Sequence, residues 1–446
     1  MLPSVPPVMA RKTATRRRRW PLVVAVLALP ALFLLLQLGH RAIDALGSAP
    51  VQSVHSYDPS APVPSIAEST FVRALSGLTQ VALLPGHKIE LLTDGPTALS
   101  RLEEDLRSAR QSILFQTYFC EPGEVAERIK QVLVQKATEG VPVFFLRDAF
   151  GCKSLGGGWS DSLVAAGAAV GVFRPLHWYS FHRAQHRSHA RAFVIDDRIG
   201  YTGGFGLADK WLPNESTPGW RETTARFEGP AVAQLAGAFA IAWSETTGTL
   251  LVHGAADLPP AHSGPPAGLL YTTRQYGTPV PERFLAITLQ SARSRVFLTN
   301  PYFIPNREVS DWLVAAASRG VDVRVLTAGE YIDHKWTRLA GRTRYEKLLK
   351  GGVKIYEYRP TMLHAKTMVV DGGFASVGSL NLDNVSLRIN DETTLLISDP
   401  ALGAALDSIF LADLKQADEI SLDQFARRPW QEKVRETVAR LLRDFL

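Results

Sequence analysis

The sequence predicts an α/β protein whose folded part is written twice, behind an N-terminal transmembrane helix. Three observations lead there. Four short segments recur in the same order in the two halves; helical and strand patterns alternate within each half; and an uncharged apolar run of 18 residues follows a cluster of arginines. At 446 residues the chain is long enough for two such units with substantial cores. An apolar content of 46% and a charged content of 21% suit a globular protein rather than a disordered one.

Residues 1–20 form a basic tail with Arg11, Lys12, Arg16, Arg17, Arg18 and Arg19 and no acid. Taking these six from the 49 basic residues leaves 43 against 43 acidic ones, so the rest of the chain is formally neutral. A neutral body lacks the electrostatic footprint of a nucleic-acid binder, and no nucleic-acid partner is expected. Residues 21–38, PLVVAVLALPALFLLLQL, carry no charge. A membrane-spanning helix needs about 20 apolar residues, with a lower limit near 17, whereas the apolar region of a signal peptide has about 7–15. A transmembrane helix is therefore expected, with a cleavable signal as the alternative because Ala45-Leu46-Gly47 is small at both ends. The arginines should stay cytoplasmic, which places everything after His40 across the membrane. Residues 39–75 read as a polar tether.

The repeat defines the remainder. GVPVFFL, starting at Gly140, resembles GVDVRVL, starting at Gly320; ILFQTYF from Ile113 parallels VFLTNPYF from Val296. VGVFRP, ending at Pro175, parallels VKIYEYRP, ending at Pro360, and ETTARFEGPA from Glu222 parallels ETTLLISDPA from Glu392. Alternating helices and strands in both halves read as two units with a mainly parallel sheet each, at 76–250 and 269–446. The Pro-, Gly- and Ala-rich stretch within 251–268 reads as a linker. Cys120 and Cys152 have neither metal-ligand spacing nor a disulfide framework; two unpaired thiols are expected, with a single bridge as the alternative.

Chemistry concentrates in LHAKTMVVDGGFASVGSLN, Leu363 to Asn381. Side chains two apart on a strand share a face, so His364 and Lys366 point the same way, and Asp371-Gly372-Gly373 ends the strand. Taken alone this reads as a wet strand edge. The first half, however, carries a counterpart in HARAFVIDDRIGYTGGFG, with His189, Arg191, Asp196 and Gly203 against His364, Lys366, Asp371 and Gly378.

This pair resembles the doubled signature of the phospholipase D superfamily, H-x-K-x4-D-x6-G-S-x-N. The second copy matches at His364, Lys366, Asp371, Gly378, Ser379 and Asn381; the first departs at Arg191, Gly204 and Gly206. TGGFGLADKW, GWRETTARFEGPAV and NPYFIP look most similar to bacterial cardiolipin synthase-like members, over roughly residues 80–445. The resemblance implies two phospholipase D-like α/β units about a pseudo-twofold axis, meeting at one site. It also implies a protein of the bacterial inner membrane that acts on phospholipid, with phosphatidylglycerol the expected substrate.

The residue types fit that expectation. One neutral imidazole can attack a phosphodiester while a second carries the proton, splitting the displacement through a phosphohistidine. Lys366 and Arg191 would bind the nonbridging oxygens, and neither a metal nor another cofactor is required. Asp196 and Asp371 belong to the signature and count among the catalytic candidates. Their odd offset of seven from the histidines nevertheless favours a structural or turn role. Glu222 and Glu392 are the better candidates for orienting the imidazoles, as the resemblance also implies. Gly203, Gly204, Ser379 and Asn381 are candidate substrate-binding positions, and the resemblance makes His189 the expected nucleophile. The insertion FHRAQHRSHAR, with His182, Arg183, His186 and Arg187, could meet anionic headgroups or be a solvated loop. Tyr302 and Phe303 read as core rather than substrate wall. Hydrolysis of a lipid, less readily of a nucleic acid, and noncatalytic lipid binding are the alternative functions.

Overall fold

The computed structural model describes residues 50–442 apart from 59, 176–185, 253–262 and 275–276, and it describes side chains to residue 439. The expected transmembrane helix at 21–38 and part of the linker lie outside the described residues. Among those described, no helix is long and apolar enough to cross a membrane.

Two sheets carry the fold. The first contains β1 (Lys88–Leu92), β2 (Ile113–Thr117), β3 (Val143–Asp148), β4 (Ala169–Phe173), β5 (Ala192–Ile195), β6 (Ile199–Thr202) and β7 (Thr224–Glu228). The second contains β8 (Ala267–Thr272), β9 (Arg295–Thr299), β10 (Asp322–Ala328), β11 (Lys354–Tyr358), β12 (Thr367–Val370), β13 (Phe374–Gly378), β14 (Glu392–Ser398) and β15 (Ala417–Glu419). Their spatial orders are β1-β7-β6-β5-β2-β3-β4 and β8-β14-β13-β12-β9-β10-β11-β15. Strand for strand these are the same order with β15 added, which is the duplication made visible.

The expectation of mainly parallel sheets is corrected. Only β2-β3-β4 and β9-β10-β11 pair in parallel; the remaining neighbours are antiparallel. The cause is local. The signature strand turns straight back through 196–198 or 371–373, and so short a turn can join only antiparallel strands.

Each half has its own core, around Phe115, Phe145 and Phe193 in the first and Phe284, Trp312 and Phe374 in the second. A third cluster joins Val194 and Phe227 to Val369, Val377 and Ile397, and the helix Ala231–Thr247 packs Leu235, Phe239 and Trp243 into it. The halves therefore share buried apolar surface, which fixes the two signature strands relative to each other. The expected pair of free thiols is also corrected: Cys120 and Cys152 form a disulfide, Cα atoms 4.4 Å apart. It joins the loop after β2 to the loop after β3, because the two cysteines follow neighbouring parallel strands.

Candidate active site

His189 and His364 lie in extended segments immediately before β5 and β12, and both are buried. Two short bridges set them in place. Ser188 pairs with Asp391 and Leu363 with Arg221, so the residue before each histidine pairs with the residue before the other half's ETT glutamate. The glutamates are thereby exchanged. His364 Nδ1 lies 2.6 Å from Glu222 Oε2, and His189 Nδ1 lies 2.9 Å from Glu392 Oε2.

Each signature cation turns back onto its own histidine. Lys366 Nζ donates to the His364 carbonyl at 2.6 Å, and Arg191 Nη1 donates to the His189 carbonyl at 2.5 Å. Lys366 Nζ also lies 2.9 Å from His364 Nε2. With the Glu222 carboxylate accepting at Nδ1 and the ammonium donating at Nε2, His364 carries its proton on Nδ1 and a lone pair on Nε2.

Burial and the neighbouring cations of Arg191 and Lys366 hold the His189 imidazole well below its ordinary pKa. Burial and Lys366 push His364 down to about 4, although Glu222 opposes them. Lys366 itself is lowered to about 7 by burial, Arg191 adding to the effect. The two carboxylates differ. Burial pushes both up, but the interaction with His364, its hydrogen bond included, and the Lys366 charge overcome it at Glu222 and hold that group below the usual range. Glu392 is raised to about 8 by burial, against hydrogen bonds such as that from Ser379. The site therefore pairs one firmly anionic glutamate with one that tends to hold its proton.

Ser379 Oγ donates to Glu392 Oε2 at 2.5 Å. Its counterpart Gly204 has no room for a side chain: a Cβ there would stand 2.1 Å from Glu222 Oε2 and 2.8 Å from His364 Nδ1. Gly203 backs onto Thr224, where a Cβ would come within 2.8 Å of the Thr224 Cα, and so serves packing of the site strands. Asn381 is buried with its Oδ1 unpartnered, an acceptor oxygen available beside the site.

Asp196 and Asp371 do not join the cluster. Each sits at the far end of its strand, seven residues or roughly 23 Å of extended chain from its histidine. Asp196 accepts from the backbone N–H groups of Arg110, Gln111 and Ser112, and Asp371 from those of Arg293, Ser294 and Arg295. Both adopt positive φ, 54° and 51°, which an Asp tolerates better than most residues. The signature counts both among the catalytic candidates; the structure places them in the turns, away from the His–Glu pairs.

Aromatic rings wall the site. Tyr118 stands edge-on to His189 at 4.9 Å, its ring 5.5 Å from the Arg191 guanidinium carbon. Trp220 and Trp211 flank His364 at 5.3 and 5.6 Å. Tyr302 is a wall residue after all: its ring centroid is 6.3 Å from that of His364, and its hydroxyl donates to Asp333. Phe303 is core. Tyr118, Trp211 and Trp220 were missed, because aromatics in the connections between strands look alike in sequence whether they cover a core or a site. Of the insertion, His182 and Arg183 lie outside the described residues. His186 binds Asp391 at 3.1 Å and Arg187 donates to the Arg174 carbonyl, so these two brace the bridge behind His189.

Comparison with known proteins agrees with this geometry. The family described as "Cardiolipin synthase, PLD-like domain" matches residues 285–414. Cardiolipin synthase A of Pseudomonas putida (strain W619) is 31% identical over 383 residues, covering 84% of this chain and 78% of that protein. Cardiolipin synthase of Geobacillus thermodenitrificans (strain NG80-2) is 32% identical over 369 residues, covering 80% and 72%. The crystal structure of phosphatidylserine synthase from Haemophilus influenzae Rd KW20 shares the fold, with a TM-score of 0.64 at 14% identity, covering 85% of this chain and 100% of that one. Two exchanged His–Glu pairs on a duplicated scaffold, together with identity of this extent, show that the chain belongs to the phospholipase D superfamily, in its cardiolipin synthase family.

Proposed function

We propose that this protein is a phosphatidyltransferase that joins two phosphatidylglycerol molecules into cardiolipin and glycerol. The observation that carries the reading is the exchanged pairing, His364 with Glu222 and His189 with Glu392, which leaves two imidazoles to serve one phosphodiester. His189 attacks phosphorus, the P–O bond to glycerol breaks, and the departing oxygen takes a proton from Nε2 of His364, which acquires that proton from solvent when the anionic phosphodiester binds beside it. The phosphatidyl group then rests on the His189 nitrogen. His364 next accepts the hydroxyl proton of the second phosphatidylglycerol, whose oxygen displaces the histidine. Anionic Glu222 suits His364 to the proton-carrying role, because it stabilises an imidazolium more than a protonated carboxyl would. Lys366 and Arg191 neutralise the nonbridging oxygens, and Asn381 positions the headgroup.

The polypeptide is further proposed to cross a bacterial inner membrane once, through residues 21–38, with its catalytic part outside the cytoplasm. The buried Cys120–Cys152 disulfide supports that side, since such bonds persist in oxidising compartments. Labelled phosphatidylglycerol in mixed micelles should yield cardiolipin and free glycerol with purified protein. Phosphatidic acid as the main product would make it a hydrolase, and no turnover would leave a lipid-binding relative. A reporter fused after Leu446 should be active only outside the cytoplasm; a cytoplasmic signal would reverse the topology.

A further inference from the structure

The last helix, Trp430–Leu442, is turned the opposite way from an ordinary surface helix. Its packed side is polar: Glu436 is 2% exposed and pairs with Arg342 at 3.1 Å and Arg428 at 2.7 Å, while Glu432 reaches Arg342 at 3.5 Å. Its outward side is apolar. Trp430, Val434 and Val438 recur at every fourth residue and are 69%, 50% and 46% exposed. At 3.6 residues per turn these three form one stripe on the side facing away from the glutamates. A helix that spends ion pairs on its attachment and leaves its apolar stripe bare is built to present that stripe to something.

We infer that this helix lies in the surface of an anionic phospholipid bilayer and holds the active site against it. Two observations select a bilayer as the occupant. Exposed Lys433 and Arg435 flank the stripe, the arrangement of an interfacial helix on anionic lipid. The helix also adjoins the mouth of the site. Ala439 packs against Ala340 in the helix Lys335–Arg342, which runs antiparallel to it. That helix follows the loop whose Asp333 holds Tyr302 over His364, and the loop and first turn expose Tyr331 and Trp336 at 63% and 50%. Tyr and Trp are the side chains favoured at a membrane interface. The stripe-bearing helix thus packs directly on the helix that exposes Trp336 and follows the loop over His364, which places it beside the site in the second half. The inference rests on the lipid reading above, and it adds how the lipid is reached.

Both native cysteines are buried in their disulfide, so one introduced cysteine can be labelled alone in the full-length protein. A fluorophore on Val434→Cys in phosphatidylglycerol/phosphatidylcholine vesicles should be quenched by nitroxides on the acyl chains and shielded from aqueous iodide. The same label on Glu139→Cys, exposed before β3 at the opposite end of the sheet, should behave in reverse. Free access of iodide to position 434 on vesicles would overturn the inference. So would shielding from iodide on vesicles without quenching by the acyl-chain nitroxides, which would mean that a second copy or another segment of protein covers the stripe. Val434→Asp with Val438→Asp should lower turnover on vesicles at least about tenfold, through lost apolar burial, and leave turnover of dissolved short-chain phosphatidylglycerol unchanged. Equal turnover by variant and unsubstituted protein on vesicles would sink the docking role. Failure of the unsubstituted protein to turn over either lipid would sink the enzymatic reading instead, while the quenching result would still decide whether the helix docks.

Discussion

Glu222 of the first half holds the imidazole of His364 in the second, across 142 residues of sequence and 2.6 Å of space. Neither half therefore contains a complete His–Glu pair. Each supplies a histidine, a cation and the carboxylate bonded to the other half's histidine, so the paired geometry exists only when both sheets are in register.

The exchange can be measured. Glu222→Gln and Glu392→Gln should each lower turnover by about 10²–10⁴, the usual contribution of an acid–base group and its partner. In denaturant-based double-mutant cycles, Glu222→Gln should couple to His364→Asn, and Glu392→Gln to His189→Asn, by about 0.5–3 kcal/mol. Cycles within one half, Glu222 with His189 or Glu392 with His364, should give much smaller coupling. Equal coupling in both sets would contradict the crossed arrangement.

The sequence carried the repeat, and the repeat carried the histidines, the cations and the two glutamates. For Asp196 and Asp371 it pulled two ways: the signature put them among the catalytic candidates, whereas an odd offset of seven on a strand favoured a turn role. What it could not carry was which glutamate serves which histidine. That depends on the Ser188–Asp391 and Leu363–Arg221 bridges, which are contacts between halves and leave no periodic trace. The parallel character of the sheets was overread for a similar reason. Three parallel strands per half dominate the hydrophobic runs, whereas tight turns decide the direction of the rest.

The pH dependence follows from Lys366. A lysine is charged below its pKa, and burial lowers this one to about 7. Its grip on phosphate in the free enzyme is therefore present below about pH 7 and lost as pH rises through it. The plot of kcat/KM, which reports free-enzyme groups, should fall above that point. Lys366→Arg should move this limb upward by more than a pH unit even if the maximum rate drops, because a guanidinium stays charged. Stability should run the other way: from about pH 7 toward 10.5 the unfolded chain binds the proton that native Lys366 lacks, so this group's contribution rises with pH. An unmoved limb in Lys366→Arg would assign it to another group.

The disulfide should be structural. Cys120 and Cys152 are 32 residues apart and fully buried. Closing a loop of that length stabilises a fold by about 3–4 kcal/mol on the chain-entropy view. Cys120→Ser with Cys152→Ser should accordingly lower Tm by several degrees. The native protein should show no thiol reactive to an aromatic disulfide reagent until it is both unfolded and reduced. Two thiols titrating in the unfolded, unreduced chain would mean that the bond does not form.

Completing the first signature should damage the enzyme. Gly204 stands where the second copy has Ser379, and replacing it with Ser would bring the sequence closer to the family pattern. The structure argues against that gain. A Cβ at this position meets Glu222 Oε2 at 2.1 Å, the oxygen that orients His364, and His364 Nδ1 at 2.8 Å. Both groups are buried, and the Glu222 carboxylate also accepts from the Thr223 N–H at 2.9 Å, so it has little freedom to retreat. Overpacking of this kind costs about 1–3 kcal/mol in stability. The larger effect should be on turnover, because displacing Glu222 releases the His364 tautomer. Gly204→Ser should therefore lose at least about tenfold in kcat, with a modest change in Tm. Gly204→Ala should lose as much, since the clash is at Cβ and not at the hydroxyl. Gly206→Asn, at another departure from the pattern, would place its Cβ within 2.8 Å of the Phe119 carbonyl and 3.0 Å of the Trp211 ring, and should disturb Trp211 beside His364 without moving Glu222. If Gly204→Ser matched or exceeded the unsubstituted protein, the close approach of Glu222 to Gly204 would be wrong, and with it the reason for the asymmetry between the two copies.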